Sequence, residues 1–200
     1  EADAAMLKRA TDTIVNQVGA MKSMVNEFSE YARTPTVNLI SVQLNSLIRD
    51  VSSLYGEEGV KLTLHLQPKL PAVAGDPTML RQMLHNLIQN AQDALTSQAH
   101  PMIEVTTTLD GDKVKLTVAD NGLGFPVDML THAFEPYVTT KAHGTGLGLA
   151  IVKKMIEEQR GQIKIENREL GGACIIIVLP VEKRTQDRET KTARSKLREA

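Results

Sequence analysis

Asp120-Asn121-Gly122-Leu123-Gly124-Phe125 and, further on, Gly144-Thr145-Gly146-Leu147-Gly148-Leu149, running into the apolar pattern Ala150-Ile151-Val152-Lys153-Lys154-Met155-Ile156, decide the fold. Glycine lets backbone approach a ligand with no Cβ in the way, and a glycine turn that opens a helix aims unpaired N–H groups at phosphate. Two glycine clusters with a carboxylate at the head therefore read as a nucleotide pocket. Asp120, at a strand end, can accept a hydrogen bond from an exocyclic amine, which adenine offers and guanine does not in the same place.

The common glycine motifs do not fit. A dinucleotide fingerprint needs G-x-G-x-x-G directly after a strand, but the sixth residue from Gly144 is Leu149 and no strand pattern precedes it. A Walker A loop needs Gly-Lys followed by Ser or Thr, and the chain has no such run. The H-R-D loop of protein kinases is missing too, so phosphoryl chemistry here uses another architecture.

Working outward, residues Leu7 to Arg33 read as one long helix. Ile14, Val18, Met21, Val25, Phe28 and Ala32 alternate in steps of four and three, the a/d pattern of a coiled seam. So narrow a stripe suits a partner helix better than a sheet, the alternative being a helix that lies on its own domain. Thr34-Pro35-Thr36 ends it, because the residue before Pro is pushed out of the helical region. The second unit begins there. Val37 to Ile40 is a short strand candidate, and Leu44, Leu47, Ile48, Val51, Leu54 and Tyr55 mark a helix closed by Gly56. Lys61 to Leu66 alternates as a strand, and Pro68, Pro71 and Gly75 read as a loop. Asp76-Pro77 is an N-cap followed by Pro at the first helical position, opening a helix to about Gln98. Ile103 to Leu109 and Lys113 to Ala119 flank the turn Asp110-Gly111-Asp112. A Leu147 to Gln159 helix stopped by Gly161 precedes a last hairpin, Gln162 to Asn167 and Ala173 to Leu179, around Leu170-Gly171-Gly172. Strands interleaved with three helices after Pro35 give an α+β fold, a two-layer sandwich of one mixed sheet and a helix layer, preceded by a long coiled-coil-like helix.

Composition narrows the chemistry. The 200 residues carry a formal net charge of −1 with the signs interspersed, so no field favours nucleic acid or anionic membrane. Cys174 is the only cysteine and lies in the apolar run Ala173 to Val178, which reads as a buried inert thiol in a reducing compartment. No apolar run approaches the ~20 residues needed to span a bilayer, so this piece is expected to be soluble. It opens at Glu1-Ala2-Asp3 without Met, as a piece of a longer protein would. The stretch from Glu182 to Ala200 is charged, leans basic and reads as a solvated, partly helical tail.

On the Asp76 to Gln98 helix, Asn86, Asn90 and Asp93 are separated by four and three residues and share one face. Two carboxamides and a carboxylate offer oxygen ligands to a hard cation and N–H donors to phosphate. Mg²⁺ favours such sparse oxygen ligation, keeping waters and taking the rest from substrate phosphates. Alone, this face reads more readily as a solvated polar stripe; combination with the glycine clusters reverses the reading toward a ligand.

Four segments in order now carry a resemblance. Asn86-Leu87-Ile88-Gln89-Asn90-Ala91-Gln92-Asp93-Ala94 resembles the N box of bacterial sensor histidine kinases, and Asp120-Asn121-Gly122-Leu123-Gly124 resembles their G1 box. Ala133-Phe134-Glu135-Pro136-Tyr137 resembles the F box, and Gly144-Thr145-Gly146-Leu147-Gly148-Leu149 the G2 box. Each is weak alone, but their order and spacing match the ATP-binding catalytic domain of that family, which has the Bergerat (GHKL) fold. The resemblance implies a partial second dimerisation helix in residues 1–34, the catalytic domain in 35–181 and the tail in 182–200. The Thr139-Thr140-Lys141 lid and the first helix look most like the nitrogen-regulation branch.

The resemblance also implies roles. Asn90 would ligate Mg²⁺, with Asn86 and Asp93 near the phosphates, and Asp120 would recognise the adenine amino group. Gly122 and Gly124 would shape the base pocket. Gly144, Thr145, Gly146, Leu147 and Gly148 would present backbone N–H groups to the β- and γ-phosphates of ATP. Lys141 would reach the γ-phosphate from a short mobile lid; Phe134 would pack that lid or be an ordinary core aromatic. Hydrolytic relatives place a glutamate one turn before the metal-binding asparagine to activate water; Asn86 stands there, which favours a kinase. The catalytic assignments are therefore Asn86 and Lys141. The family's phosphoacceptor histidine, in an H-E-x-[KR]-[NT]-P-like helix, matches none of His65, His85, His100, His132 or His143; His85 reads as a pocket-rim or packing residue. The whole protein would be a dimer through its first helix, anchored in the inner membrane by segments outside this chain with this domain in the cytoplasm. It would pass phosphate from its own histidine to an aspartate of a response regulator. The rival readings are a Bergerat-fold ATPase or serine-directed kinase, and a non-catalytic dimerisation module that binds nucleotide as a switch.

Overall fold

The computed structural model describes residues 2–32, 36–55, 59–96, 98–141 and 144–182. The chain forms α1 (Ala2–Ala32), β1 (Ile40–Val42), α2 (Leu44–Ser52) with a 3-10 turn at Ser53–Tyr55, β2 (Lys61–Leu66) and β3 (Val73–Gly75). It continues through α3 (Pro77–Ala94), β4 (Met102–Asp110), β5 (Lys113–Asp120), α4 (Gly148–Glu158), β6 (Gln162–Asn167) and β7 (Ala173–Pro180).

Period-two alternation builds the sheet. In β4 and β5, Ile103, Val105, Val114, Leu116 and Val118 are buried, as are Ile175, Ile177 and Leu179 in β7, while residues between them point the other way. The strands assemble in the order β2-β4-β5-β7-β6, with β2 parallel to β4 and the other pairs antiparallel. Helices α2, α3 and α4 cover the apolar face. Met79, Leu80, Met83, Leu84, Leu87, Ile88 and Ala91 form the buried stripe of α3 and join the strand residues in one core. Burying a Leu or Met side chain is worth ~1.5–3 kcal/mol, so this stripe rather than intrinsic helix propensity holds α3 in place. The result is the mixed-sheet and helix sandwich expected, with no described helix long and apolar enough to cross a membrane.

The entry to α3 fixes its direction. Asp76 Oδ1 accepts from Thr78 N at 2.9 Å and Met79 N at 3.2 Å, with Pro77 at the first helical position. The other oxygen, Oδ2, accepts from Asn38 N at 3.0 Å, tying the segment before β1 to the same cap. Gln159, fully buried after α4, accepts from Asp76 N at 2.9 Å through Oε1 and donates from Nε2 to Met155 O at 3.0 Å.

Several boundaries differ from expectation. The first strand is Ile40–Val42 rather than Val37 to Ile40, because it pairs with β3, where the Pro68 to Gly75 stretch had read as loop. Three residues are too few for alternation to show, and only the partner makes them a strand. Helix α3 ends at Ala94, not near Gln98: Leu95 N donates to Gln92 O and Thr96 Oγ1 to Asp93 O, closing the last turn. Cys174 lies on the open side of the sheet, opposite Ala119, and is partly exposed rather than buried. Desolvation, then the nearby Glu166 carboxylate, pushes its thiol pKa up, which keeps it in the unreactive neutral form. Helix α1 packs near α4, and its stripe residues Leu7, Ile14, Val18, Met21, Val25 and Phe28 are exposed. The expected boundary at Thr34-Pro35, the stop at Gly56 and the tail beyond Glu182 lie outside the described residues.

Asp76→Ala removes acceptors from three backbone amides at once, and a loss of about 1–2 kcal/mol in unfolding free energy is expected in urea titration.

Candidate functional site

A pocket of about 890 Å³ opens beside α3, bounded by the end of β5, the segment after it, residues 138–141 and 144–146, and the start of α4. Its apolar wall comes from both layers: Leu87, Ala91, Val118, Leu149, Ile151 and Ile175 line it. Such a slot with a few placed polar groups suits a flat heteroaromatic base.

Asp120, the last residue of β5, is 6% exposed, and it lines the pocket. Its Oδ1 accepts two backbone hydrogen bonds, from Gly122 N at 2.8 Å and Ala173 N at 3.2 Å, leaving Oδ2 for a ligand. The neighbouring strand must come very close. Gly172 has φ +93°, and a Cβ there would lie 2.0 Å from Asp120 O. Asn121 continues the clamp: its Oδ1 accepts from Met102 N and its Nδ2 donates to His100 O, both at 2.8 Å. Asn167, at the end of β6, accepts from Phe125 N at 2.8 Å and donates to Phe125 O at 2.7 Å, so it holds the G1-like turn from the far side.

Asn86, Asn90 and Asp93 all line the pocket, on one face of α3 as their spacing requires. Lys141 reaches across to them. Its Nζ donates to Asn90 Oδ1 at 3.1 Å and to Asp93 Oδ2 at 2.6 Å. The ammonium thus marks where side-chain oxygens converge on a cation, the donor chemistry that Mg²⁺ takes. Both partners are about 40% exposed (41% and 44%), so this pair adds little to stability and is free to exchange.

The segment carrying Lys141 is pinned at both ends. Tyr137, at φ +68°, donates its N–H to Gly146 O at 3.1 Å. Gly146 has φ +69°, and a Cβ there would lie 2.5 Å from the Tyr137 carbonyl carbon. Inside the loop, Lys141 N donates to Thr139 Oγ1 and Gly144 N to Lys141 O, both at 3.1 Å. Leu147 is 1% exposed, and its N–H is taken by Thr145 Oγ1 at 3.3 Å, so it anchors the loop to the core instead of lending an amide to a ligand. The first bond within α4 is Ile151 N to Leu147 O, which leaves the Gly148, Leu149 and Ala150 amides at the helix opening without a partner in the helix. Gly148 faces Asn90, whose Nδ2 lies 3.6 Å from where a Cβ would be. The helix opening and the convergent oxygens are therefore adjacent, an arrangement suited to phosphate.

All the site residues read from sequence gather at or around this pocket except Gly122 and Leu147, which shape it from behind. Of the two readings open for His85, packing holds: it is absent from the lining, its Nδ1 is hydrogen-bonded to the Tyr55 hydroxyl, and the two rings lie tilted at 52° with centres 5.4 Å apart, joining α3 to the 3-10 turn after α2. Phe134 packs against the core beneath Lys153, whose Nζ is 5.9 Å from the ring centre, whereas Ala133 and Val138 line the pocket. His143 lies outside the described residues. No cluster of three His, Cys, Asp or Glu suited to a metal occurs among the described residues. Asn167, Gly172 and Ala173 were not read as site residues, since their roles are set by the pairing of β7 with β5 and with β6, which no local motif encodes.

Comparison with known proteins agrees with this geometry. The family described as Histidine kinase-, DNA gyrase B-, and HSP90-like ATPase matches residues 75–183. The nitrogen regulation protein NtrY of Azorhizobium caulinodans is 35% identical over 188 residues, covering 90% of this chain and 24% of that protein. The sensor histidine kinase ZraS of Escherichia coli K12 is 34% identical over 172 residues, covering 84% of this chain and 37% of that protein. The chain thus spans about a quarter to two fifths of these curated relatives. Among solved structures, the catalytic domain of histidine kinase ThkA is 34% identical with a TM-score of 0.65, covering 72% of this chain and 96% of that one. ThkA in complex with the response regulator protein TrrA superposes with a TM-score of 0.73 at 29% identity, covering 88% of this chain and 52% of that one. The chain belongs to the histidine kinase-, DNA gyrase B- and HSP90-like ATPase family, as the ATP-binding catalytic domain of a bacterial sensor histidine kinase.

Proposed function

We propose that this domain transfers the γ-phosphate of Mg-ATP to a histidine outside the chain, for relay to the receiver domain of a response regulator. The observation that carries the reading is the convergence of Asn90 Oδ1, Asp93 Oδ2 and the Lys141 ammonium beside the α4 helix opening, with the Asp120 carboxylate in the same pocket. Bound Mg²⁺, held by Asn90, would neutralise charge on the phosphate oxygens. Asp120 selects the base, Gly122 and Gly124 shape the space around it, and the segment Gly144 to Gly148, Leu147 excepted, brings backbone N–H groups to the phosphates. Asn86 orients the phosphates from the turn before Asn90. Lys141 leaves Asp93 for the γ-phosphate when nucleotide binds. Phosphoryl transfer depends mostly on alignment and electrostatic stabilisation, so this set is sufficient on the protein's side. Asn86 lines the pocket one turn before Asn90, and a carboxamide cannot take a proton from water, which supports transfer to a protein over hydrolysis.

The long α1 with its exposed apolar stripe supports a homodimer through this helix in the whole protein. The similarity to NtrY supports the nitrogen-regulation branch, and a cytoplasmic position beneath an inner-membrane sensor completes the proposal.

Mixing the chain with Mg-ATP and a separate fragment that carries the upstream phosphoacceptor helix is expected to give acid-labile phosphohistidine. ATP binding without any transfer would favour the non-catalytic module. Asn90→Ala is expected to weaken Mg-ATP by roughly tenfold or more and to abolish the Mg²⁺ dependence of binding in calorimetry. Lys141→Met is expected to weaken ATP by about tenfold while leaving ADP unchanged, as a charge-assisted contact to the γ-phosphate requires. Equal loss for both nucleotides would assign Lys141 elsewhere.

A further inference from the structure

The carbonyl of Asp120 has an unusual partner. The pairing of β5 with β7 runs to Ala119↔Cys174 and stops there, because the next amide, Ala173 N, donates to the Asp120 side chain instead. Gly172 presses against the carbonyl without supplying a donor to it. Arg168 fills that role. From the turn after β6 its Nη1 donates to Asp120 O at 3.2 Å, and its Nη2 lies 2.9 Å from Glu104 Oε2 on β4. The same residue closes its own turn, donating its N–H to Gly172 O at 2.9 Å and accepting from Gly171 N at 3.1 Å.

The guanidinium therefore bridges three pieces of chain: the end of β5, the outer face of β4 and the turn leading to β7. All of them bear on one carboxylate. Ala173, which follows the turn, and Gly122, which follows the Asp120 carbonyl, are the two donors that orient Oδ1. A planar fork with separate nitrogens for two acceptors can do this; an ammonium serves one point at a time. Arg168 and Glu104 are 31% and 28% exposed, so as an ion pair they contribute little to stability. A bond to a carbonyl that lacks any other donor contributes to geometry instead.

We propose that Arg168, bridged between the Asp120 carbonyl and Glu104, is a positioning residue for base selection that holds the Asp120 carboxylate toward the exocyclic amine of the bound purine. This rests on the reading of Asp120 as the base-selecting group. Arg168 touches no ligand; it acts through Asp120.

The test compares ATP with inosine triphosphate, which lacks the exocyclic amine, by calorimetry on the whole chain with Mg²⁺. In the unmodified chain ATP binds more tightly than inosine triphosphate, and Asp120→Asn removes that preference. Arg168→Met is expected to shrink the preference by about threefold to tenfold, the worth of one hydrogen bond, with inosine triphosphate affinity and Tm nearly unchanged. Glu104→Gln, which leaves Arg168 in place without its counter-charge, is expected to move the ratio the same way by less, and serves also if Arg168→Met fails to fold. Equal weakening of both nucleotides, or an unchanged ratio in both variants while Asp120→Asn still abolishes it, would overturn the role of Arg168. An unchanged ratio in Asp120→Asn would overturn the base-selection reading and the inference with it.

Discussion

Two backbone amides from different parts of the chain converge on one oxygen of Asp120: Gly122 N from the turn just after it and Ala173 N from the start of β7. A carboxylate that is 6% exposed needs hydrogen-bond partners for its lone pairs, and these bonds meet them on one side. They also fix where the side chain points. The rest of the fold serves that arrangement. The sheet order puts β7 beside β5, the glycine at 172 lets the strands approach, and α3 lies across the face so that Asn90 and Asp93 share the same pocket.

The second constraint is charge balance at the other end. The Lys141 ammonium lies on Asn90 and Asp93. It satisfies oxygens that would otherwise converge without a cation. A partly exposed pair of this kind exchanges readily for a stronger anion and a divalent cation. The segment that carries Lys141 is held where Tyr137 meets Gly146, whose backbones pack too closely to allow a side chain at 146. Leu147 shows the same division: its position in the glycine-rich segment belongs to the core, and its glycine neighbours line the pocket.

Much of this was legible in the chain. Asn86, Asn90 and Asp93 declared a shared helical face by spacing, Asp76-Pro77 declared a helix start, and the alternation in β4, β5 and β7 declared the buried side of the sheet. The partners across the fold were not legible. Asn167 holds Phe125 from 42 residues away, Arg168 meets Asp120 from 48, and β1 exists only because β3 lies beside it. Such contacts depend on sheet register, which is a property of the assembled layers. His85 was open between pocket rim and packing, and the fold decides for packing: its neighbour Asn86 faces the pocket, and one residue along a helix turns the side chain by about 100° to meet Tyr55 instead.

The most direct measurement is a crystal structure of this chain with Mg²⁺ and a non-hydrolysable ATP analogue. The account predicts the adenine amine within hydrogen-bond distance of Asp120, the metal on Asn90 Oδ1, and Lys141 Nζ withdrawn from Asp93 to the terminal phosphate. A base bound away from Asp120, or Lys141 still on Asn90 and Asp93 with the analogue in place, would contradict it.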